Sequence, residues 1–254
     1  MTPKLEVRNV NFSYHTLDGE TPALRDISFS VSTGEFLAVV GPSGCGKSTL
    51  LSLLSGLLPP EEGEILIDGK PVLEARNNIG YMLQKDHLFE WRTILSNVSL
   101  GLEIQKKWDA NSKEMLKEML NCYGLSGFES AKPSELSGGM RQRAALIRTL
   151  AVKPDILLLD EPFSALDYQT RLAVCDDIST IIRQSGKTAI LITHDLSEAI
   201  STADRVIVLS TRPGTVKSTL TVTFGKEYDT PLKRRNAPEF SKYFNQVWEE
   251  LQVE

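Results

Sequence analysis

The chain has 254 residues, 41% hydrophobic and 24% charged, an ordinary soluble mix and enough for one large domain or a domain with a subdomain. Its 28 basic against 33 acidic residues give a formal charge of −5, which argues against a nucleic-acid binder, since those carry a basic surplus or stripe. Cys45, Cys122 and Cys175 form neither a metal-ligand spacing nor an even framework, which points to a reduced cytosolic setting. The opening MTPKLEVRNV lacks the apolar core of a secretion signal, and no run approaches the ~18 apolar residues that span a bilayer. A membrane role would therefore come through a partner.

In chain order, alternation at 4–9 and 26–32, followed by FLAVV at 36–40, predicts strands. A glycine-rich turn leads into a leucine-rich helix over about 47–57, which Pro59 and Pro60 end. EGEILIDGK at 62–70 reads as a strand and turn. Residues 86–155 change texture: Leu and Met at helical spacing with few β-branched neighbours predict a mostly helical insert. Ile156–Leu159, TAILIT at 188–193 and RVIVL at 205–209 read as buried strands separated by helical stretches, hence a parallel sheet. Asp195 with Glu198 has the D-x-x-E spacing of a helix start. Lys233-Arg234-Arg235 reads as a solvated turn, and 240–252 as a covering helix.

Gly41 to Ser48, GPSGCGKS, matches G-x-x-x-x-G-K-[ST] between a predicted strand and a predicted helix, the context this motif requires. Phosphate oxygens need many donors at close range. Small residues let the backbone N–H groups of Gly41, Ser43, Gly44, Cys45 and Gly46 converge without hindrance, and the helix adds the positive end of its dipole. Lys47 can reach the β and γ phosphates, Ser48 can ligate Mg²⁺, and Thr49 can offer a hydroxyl to the α phosphate. Asp160 closes an apolar strand, so its carboxylate meets the crevice at the strand tips and is a candidate Mg²⁺ ligand. Glu161, next to it, is a candidate general base for an attacking water. His194 ends the strand TAILIT and can bond to the γ-phosphate or hold water and glutamate in line. His15 and His87 have no such context and read as surface residues.

These residues resemble one family, the nucleotide-binding subunits of ATP-binding-cassette (ABC) transporters, over about residues 4–215. LSGGMRQR at 136–143 looks like the family signature. Gln84 resembles its glutamine loop, SALD at 164–167 its aspartate loop, His194 its switch histidine, and Tyr14 the aromatic that stacks on adenine. The resemblance implies an α/β P-loop ATPase with a parallel-sheet core, an N-terminal antiparallel β subdomain and a helical subdomain near 86–155, within a domain spanning 1–215. Residues 216–254 would be a C-terminal extension, helical near 240–252. It implies catalysis by Glu161, His194 and Gln84, with Mg²⁺ held by Ser48, Gln84 and Asp160. It also implies a head-to-tail homodimer in which Ser137, Gly138 and Gly139 of each copy close over the other's ATP, with Asp167 spanning the seam.

Within the family, LFEWRTILSNVSLGLE at 88–103 and STRPGTV at 210–216 resemble the importers of nitrate, sulfonates and taurine. The implied partners are a transmembrane permease docking after Gln84 and, indirectly, a solute-binding protein. The implied location is the cytoplasmic face of the membrane. Glu90 stands where those importers usually have proline, which leaves the solute open. The alternatives are a soluble cassette ATPase without a transport role, as in iron–sulfur cluster assembly, and a nucleotide sensor without turnover.

Overall fold

The computed structural model describes residues 3–17 and 19–252; Met1 and Thr2 of the opening stretch, Asp18 and the last two residues lie outside the described residues. Ten strands and nine α-helices make two sheets and a helical layer among the described residues. A long hairpin, β1 (Leu5–Thr16) and β2 (Gly19–Val31), precedes the central strand β3 (Phe36–Val40) and helix α1 (Lys47–Leu54). Strands β4 (Glu62–Ile67) and β5 (Lys70–Pro71) complete an antiparallel sheet ordered β2-β1-β4-β5. The hairpin is longer than the two short alternating runs predict. Asn9 and Asp26 both take φ 47°, and the register slips between Val7 and Phe12, so the alternation changes phase inside the strand.

The second sheet begins at β6 (Ile79–Met82), a short strand that periodicity did not reveal. The helical insert follows: α2 (Ile94–Val98), α3 (Leu100–Ile104), α4 (Ala110–Cys122) and α5 (Gly138–Ala151). Ile94, Leu116, Leu120 and Ile147 are fully buried in its own small core. Then come β7 (Ile156–Asp160), α6 (Tyr168–Gln184), β8 (Thr188–Ile192), α7 (Leu196–Thr202), β9 (Arg205–Leu209) and β10 (Val216–Thr221). The sheet order is β10-β9-β3-β8-β7-β6, with β9, β3, β8, β7 and β6 all parallel and β10 antiparallel at the edge. Both faces of this sheet are covered, so β3, β7 and β8 read as continuous apolar runs.

Residues 216–221, the start of the expected extension, are β10 and pair with β9. Short helix α8 (Pro231–Arg234) and helix α9 (Phe240–Gln252) close the chain, with Val247 of α9 buried in the main core. No helix among the described residues is long and apolar enough to cross a membrane.

The helix start expected at Asp195 is present, and a second local expectation is corrected. Asp195 does cap α7, accepting from the N–H groups of Ser197 and Glu198. Glu198, however, does not return to the Asp195 amide. That amide donates to Thr193 Oγ1 at 3.0 Å, and buried Glu198 accepts from the same hydroxyl at 2.7 Å. Burial raises the Glu198 carboxyl above its ordinary range.

Nor is the Lys233-Arg234-Arg235 stretch a solvated turn. Arg234 Nη1 donates to the carbonyls of Ser201, Thr202 and Ala203 at the end of α7, at 3.3–3.4 Å, and its guanidinium lies 5.4 Å from the Phe224 ring centre. Carbonyls that the helix end leaves without a helical partner, one of them shared with Arg183, offset the cost of burying Arg234. Arg234→Ala is expected to lose about 2 kcal/mol in urea unfolding through these bonds and the stem's packing. An unchanged midpoint would mean the contact is incidental.

Candidate nucleotide site

The site is assembled by strand order. Neighbouring strands lie about 4.8 Å apart, so residues that follow β3, β8, β7 and β6 in space emerge side by side. The phosphate loop leaves β3, His194 follows β8, Asp160 and Glu161 end β7, and Gln84 follows β6. Residues far apart in sequence are therefore delivered to one rim of the sheet.

The loop turns into α1 at Gly46, whose φ of 103° is a left-handed conformation that residues with a Cβ adopt poorly. No side chain caps α1 and no acid sits in its first turn, so its N-terminal N–H groups carry no side-chain cap. Lys47 is 9% exposed, and its Nζ donates to the carbonyls of Gly41 and Pro42 at 2.8 and 3.0 Å. Cys45 turns its thiol into the core, where burial raises its pKa, and its N–H donates to Pro42 O at 3.3 Å. A cleft of about 290 Å³ brings together Tyr14, Ser43, Gly44, Gly46, Lys47, Ser48, Thr49 and Glu161. Tyr14 is 42% exposed, and its hydroxyl lies 3.0 Å from Thr49 Oγ1, which fixes the ring beside α1. The same cleft contains Arg212, which sequence reasoning did not single out.

Glu161 has φ 43°, an uncommon backbone for a glutamate, held by its N–H to Ile192 O at 2.8 Å. The turn brings its carboxylate to Gln84 and His194: Gln84 Nε2 donates to Glu161 Oε2 at 3.2 Å, and His194 Nδ1 lies 3.0 Å from the same oxygen. The three sequence-derived catalytic candidates therefore meet on one atom. Behind them, the Tyr81 hydroxyl donates to Asp160 at 3.4 Å. Burial, then the charge of Glu161, raises the Asp160 carboxyl above its ordinary range, and burial, then Asp160, pushes Tyr81 up to about 12. No group of three or more His, Cys, Asp or Glu among the described residues is arranged to hold a metal alone.

Ser137, Gly138 and Gly139 do not line this cleft. Ser137 caps α5, accepting from Met140 N–H at 3.4 Å, and Gly139 is buried against Val174 and Thr170 of α6. Asp167 is exposed and caps α6 through Thr170 N–H. His15 and His87 are exposed, as expected. A roomier concavity, about 950 Å³, opens beside Asn77, Lys107 and Lys153, away from every motif.

The helix that starts at the signature is tied to the segment after Gln84. Arg141 donates to Asp86 through Nε and Nη2 at 2.9 and 3.2 Å, and to Glu90 through Nη2 at 2.9 Å. Glu90, the departure from the importer pattern, thus pairs with the signature helix. Phe89 and Trp91 stack at 4.8 Å, leaving Trp91 73% exposed.

With this geometry in place, comparison with known proteins identifies the lineage. A family model described as ABC transporter matches residues 24–164. The chain belongs to the ABC transporter family. It is 40% identical over 247 residues to the nitrate import ATP-binding protein NrtD of Synechocystis, covering 96% of this chain and 93% of that protein. It is 44% identical over 207 residues to the taurine import ATP-binding protein TauB of Yersinia pestis, covering 82% of this chain and 81% of that protein. These relatives bear out the resemblance to the nitrate and taurine importer group. A solved dimer of the ATP-binding cassette MJ0796, in a post-hydrolysis state bound to ADP and Pi, aligns with TM-score 0.74 at 30% identity, covering 87% of this chain and all of that one. The chain is therefore an ATPase of the cassette type, and its α/β architecture is the cassette fold.

Burial alone would raise Asp86, but the Arg141 bonds and the Leu88 N–H outweigh it and hold the carboxyl below its ordinary 3.8. Stability from a lowered carboxyl is fully present above 3.8 and fades as pH falls through the lower folded value. Asp86→Asn is expected to cost about 1–2 kcal/mol in urea unfolding at neutral pH, with the difference from wild type shrinking below that value. Glu90→Ala, which removes a half-exposed partner, should cost less than about 0.5 kcal/mol. Equal losses would contradict this ranking.

Proposed function

We propose that this ATPase is the motor subunit of a membrane importer for a small organic or inorganic solute, working as a head-to-tail pair. The observation that carries the reading is the identity to a nitrate import ATP-binding protein over 96% of the chain and to a taurine import ATP-binding protein over 82% of it. These relatives lend no support to a soluble iron–sulfur-assembly role. Glu161, His194 and Gln84 converging on one atom favours turnover over passive nucleotide sensing.

The residues fit a bound triphosphate. A buried ammonium held by carbonyl dipoles, beside an uncapped helix start, is a cationic setting suited to an anion. In this reading Lys47 and the loop N–H groups bind the β and γ phosphates, and Tyr14 stacks on adenine. The half-buried Asp160–Glu161 pair suits a divalent cation, and Ser48, Gln84 and Asp160 are the side chains that would hold Mg²⁺. That ion would neutralise phosphate charge, taking its remaining oxygens from phosphates and water. Glu161 accepts the proton of the attacking water, while Gln84 and His194 keep that carboxylate and water in line. The partner's Ser137, Gly138 and Gly139 close the far side of the nucleotide.

Closure moves the helical insert, which carries the Asp86–Arg141–Glu90 contacts. The exposed Phe89–Trp91 stack, just after Gln84, is the surface on which a transmembrane permease would dock. Through it the chain would sit at the cytoplasmic face of the membrane and serve a solute-binding protein indirectly. ATP drives the movement to the extent that it binds the closed pair better than the open one.

Lys47→Ala is expected to weaken ATP binding at least tenfold by calorimetry. Glu161→Gln should keep that affinity while turnover falls roughly 10²–10⁴-fold. Unaltered binding in the first variant, or normal hydrolysis in the second, would contradict the assigned roles. Affinity purification of the chain from detergent-solubilised membranes should bring down a multi-span permease subunit. Recovery of only soluble partners would contradict the importer reading.

A further inference from the structure

Five parallel strands end at the same rim, and four of their tips lead to Lys47, His194, Glu161 and Gln84. The fifth is β9, beside β3 on the opposite side from β8. The chain leaving β9 runs Ser210-Thr211-Arg212-Pro213-Gly214 before returning as β10. Arg212 lines the cleft that also contains Tyr14, Ser43 and Lys47. We propose that Arg212 is a further nucleotide-binding residue that grips the base and ribose end of ATP, a role that rests on reading this cleft as the ATP site.

The backbone around Arg212 is clamped from two sides. Gly214 N–H donates to Ala23 O, and Arg25 N–H donates to Gly214 O, both at 2.9 Å, which stitches the segment to β2. On the other side, a Cβ at Gly214 would collide with the Cys45 carbonyl oxygen of the phosphate loop. Only glycine lets the segment lie this close, so the position of Arg212 is set directly against the loop that takes the phosphates. Ser210 adds a hook, its Oγ accepting from Thr215 N–H at 2.9 Å.

The side chain is aimed as well as anchored. Arg212 Nε donates to Pro22 O at 3.0 Å. In the hairpin register Pro22 faces Ser13 and Thr21 faces Tyr14, so the guanidinium is tethered to the strand alongside Tyr14. Its two Nη atoms have no hydrogen-bond or ion-pair partner among the described residues. A planar cation with free N–H groups, in the cleft that Tyr14 also lines, suits a purine face and ribose hydroxyls. A plain stapling role for Arg212 would use only the Pro22 bond.

The test measures ATP and ADP affinities of the full chain by calorimetry for wild type, R212A, R212K and Lys47→Ala. R212A is expected to weaken both nucleotides by the same factor, roughly three- to tenfold. R212K should recover little, since an ammonium lacks the planar face. Wild-type affinity in R212A would overturn the proposal. So would a loss for ATP several times that for ADP that vanishes in high salt, which would place the charge on the terminal phosphates. Should R212A unfold, R212K decides alone, because lysine can keep the bond to Pro22 O; unchanged affinity there overturns the role. Lys47→Ala separates the two readings. If it leaves ATP binding intact, the cleft itself is misread; if it abolishes binding while both Arg212 variants match wild type, only Arg212 is misassigned.

Discussion

A nearly buried ammonium, without an ion-pair partner among the described residues, is the constraint around which the site is organised. Lys47 is held by two carbonyls of its own loop, and its charge partly offsets the upward push that burial and Glu161 give the Asp160 carboxyl. Desolvating a cation is costly unless a matching charge arrives. The uncapped start of α1 adds to the same positive field. The cleft is thus built to be completed by an anion, and the loop glycines leave the room that anion needs.

The other groups acquire meaning from their place on the sheet. Asp160 and Glu161 are adjacent in sequence yet do different things. Asp160 continues the strand and stays half-buried against Tyr81, whereas Glu161 is turned by its left-handed backbone toward Gln84 and His194. In the proposed reading, one carboxylate would hold a cation and the other would take a proton. Gln84 begins the segment whose Asp86 and Glu90 bind Arg141, four residues past Ser137 on the signature helix. These contacts join the segment that carries Gln84 and Trp91 to the helix that Ser137 caps.

Much of this was legible in the sequence, for definite reasons. The phosphate loop, the acid pair and His194 each follow a continuous apolar run, and a doubly covered parallel strand writes such runs plainly. β6 was not legible: Ile79–Met82 is too short for periodicity and contains a glycine and a half-buried tyrosine. β10 alternates between half-buried and exposed residues but buries none fully, and it sits at a sheet edge, past the reach of the family motifs. Arg234 carries the composition of a solvated turn, and only the helix end beneath it explains its burial. Arg212 is the instructive case. Its stretch, STRPGTV, is visible in the sequence, but its place at the cleft depends on β9 lying beside β3, a fact of topology that no local pattern encodes. The signature turn is the reverse case, since its motif is plain while a single chain leaves it outside the cleft.

That last point calls for a test on two chains at once. A mixed dimer can be prepared with Lys47→Ala in one protomer and Ser137→Arg in the other, and the amount of tightly held non-hydrolysable ATP analogue measured. If each nucleotide lies between the lysine of one copy and the serine turn of its twin, both lesions fall in the same site, the other site is intact, and one equivalent is retained per dimer. Retention of none, with each single-variant homodimer folded and paired, would mean that lysine and serine act within one chain and would contradict two-sided capture.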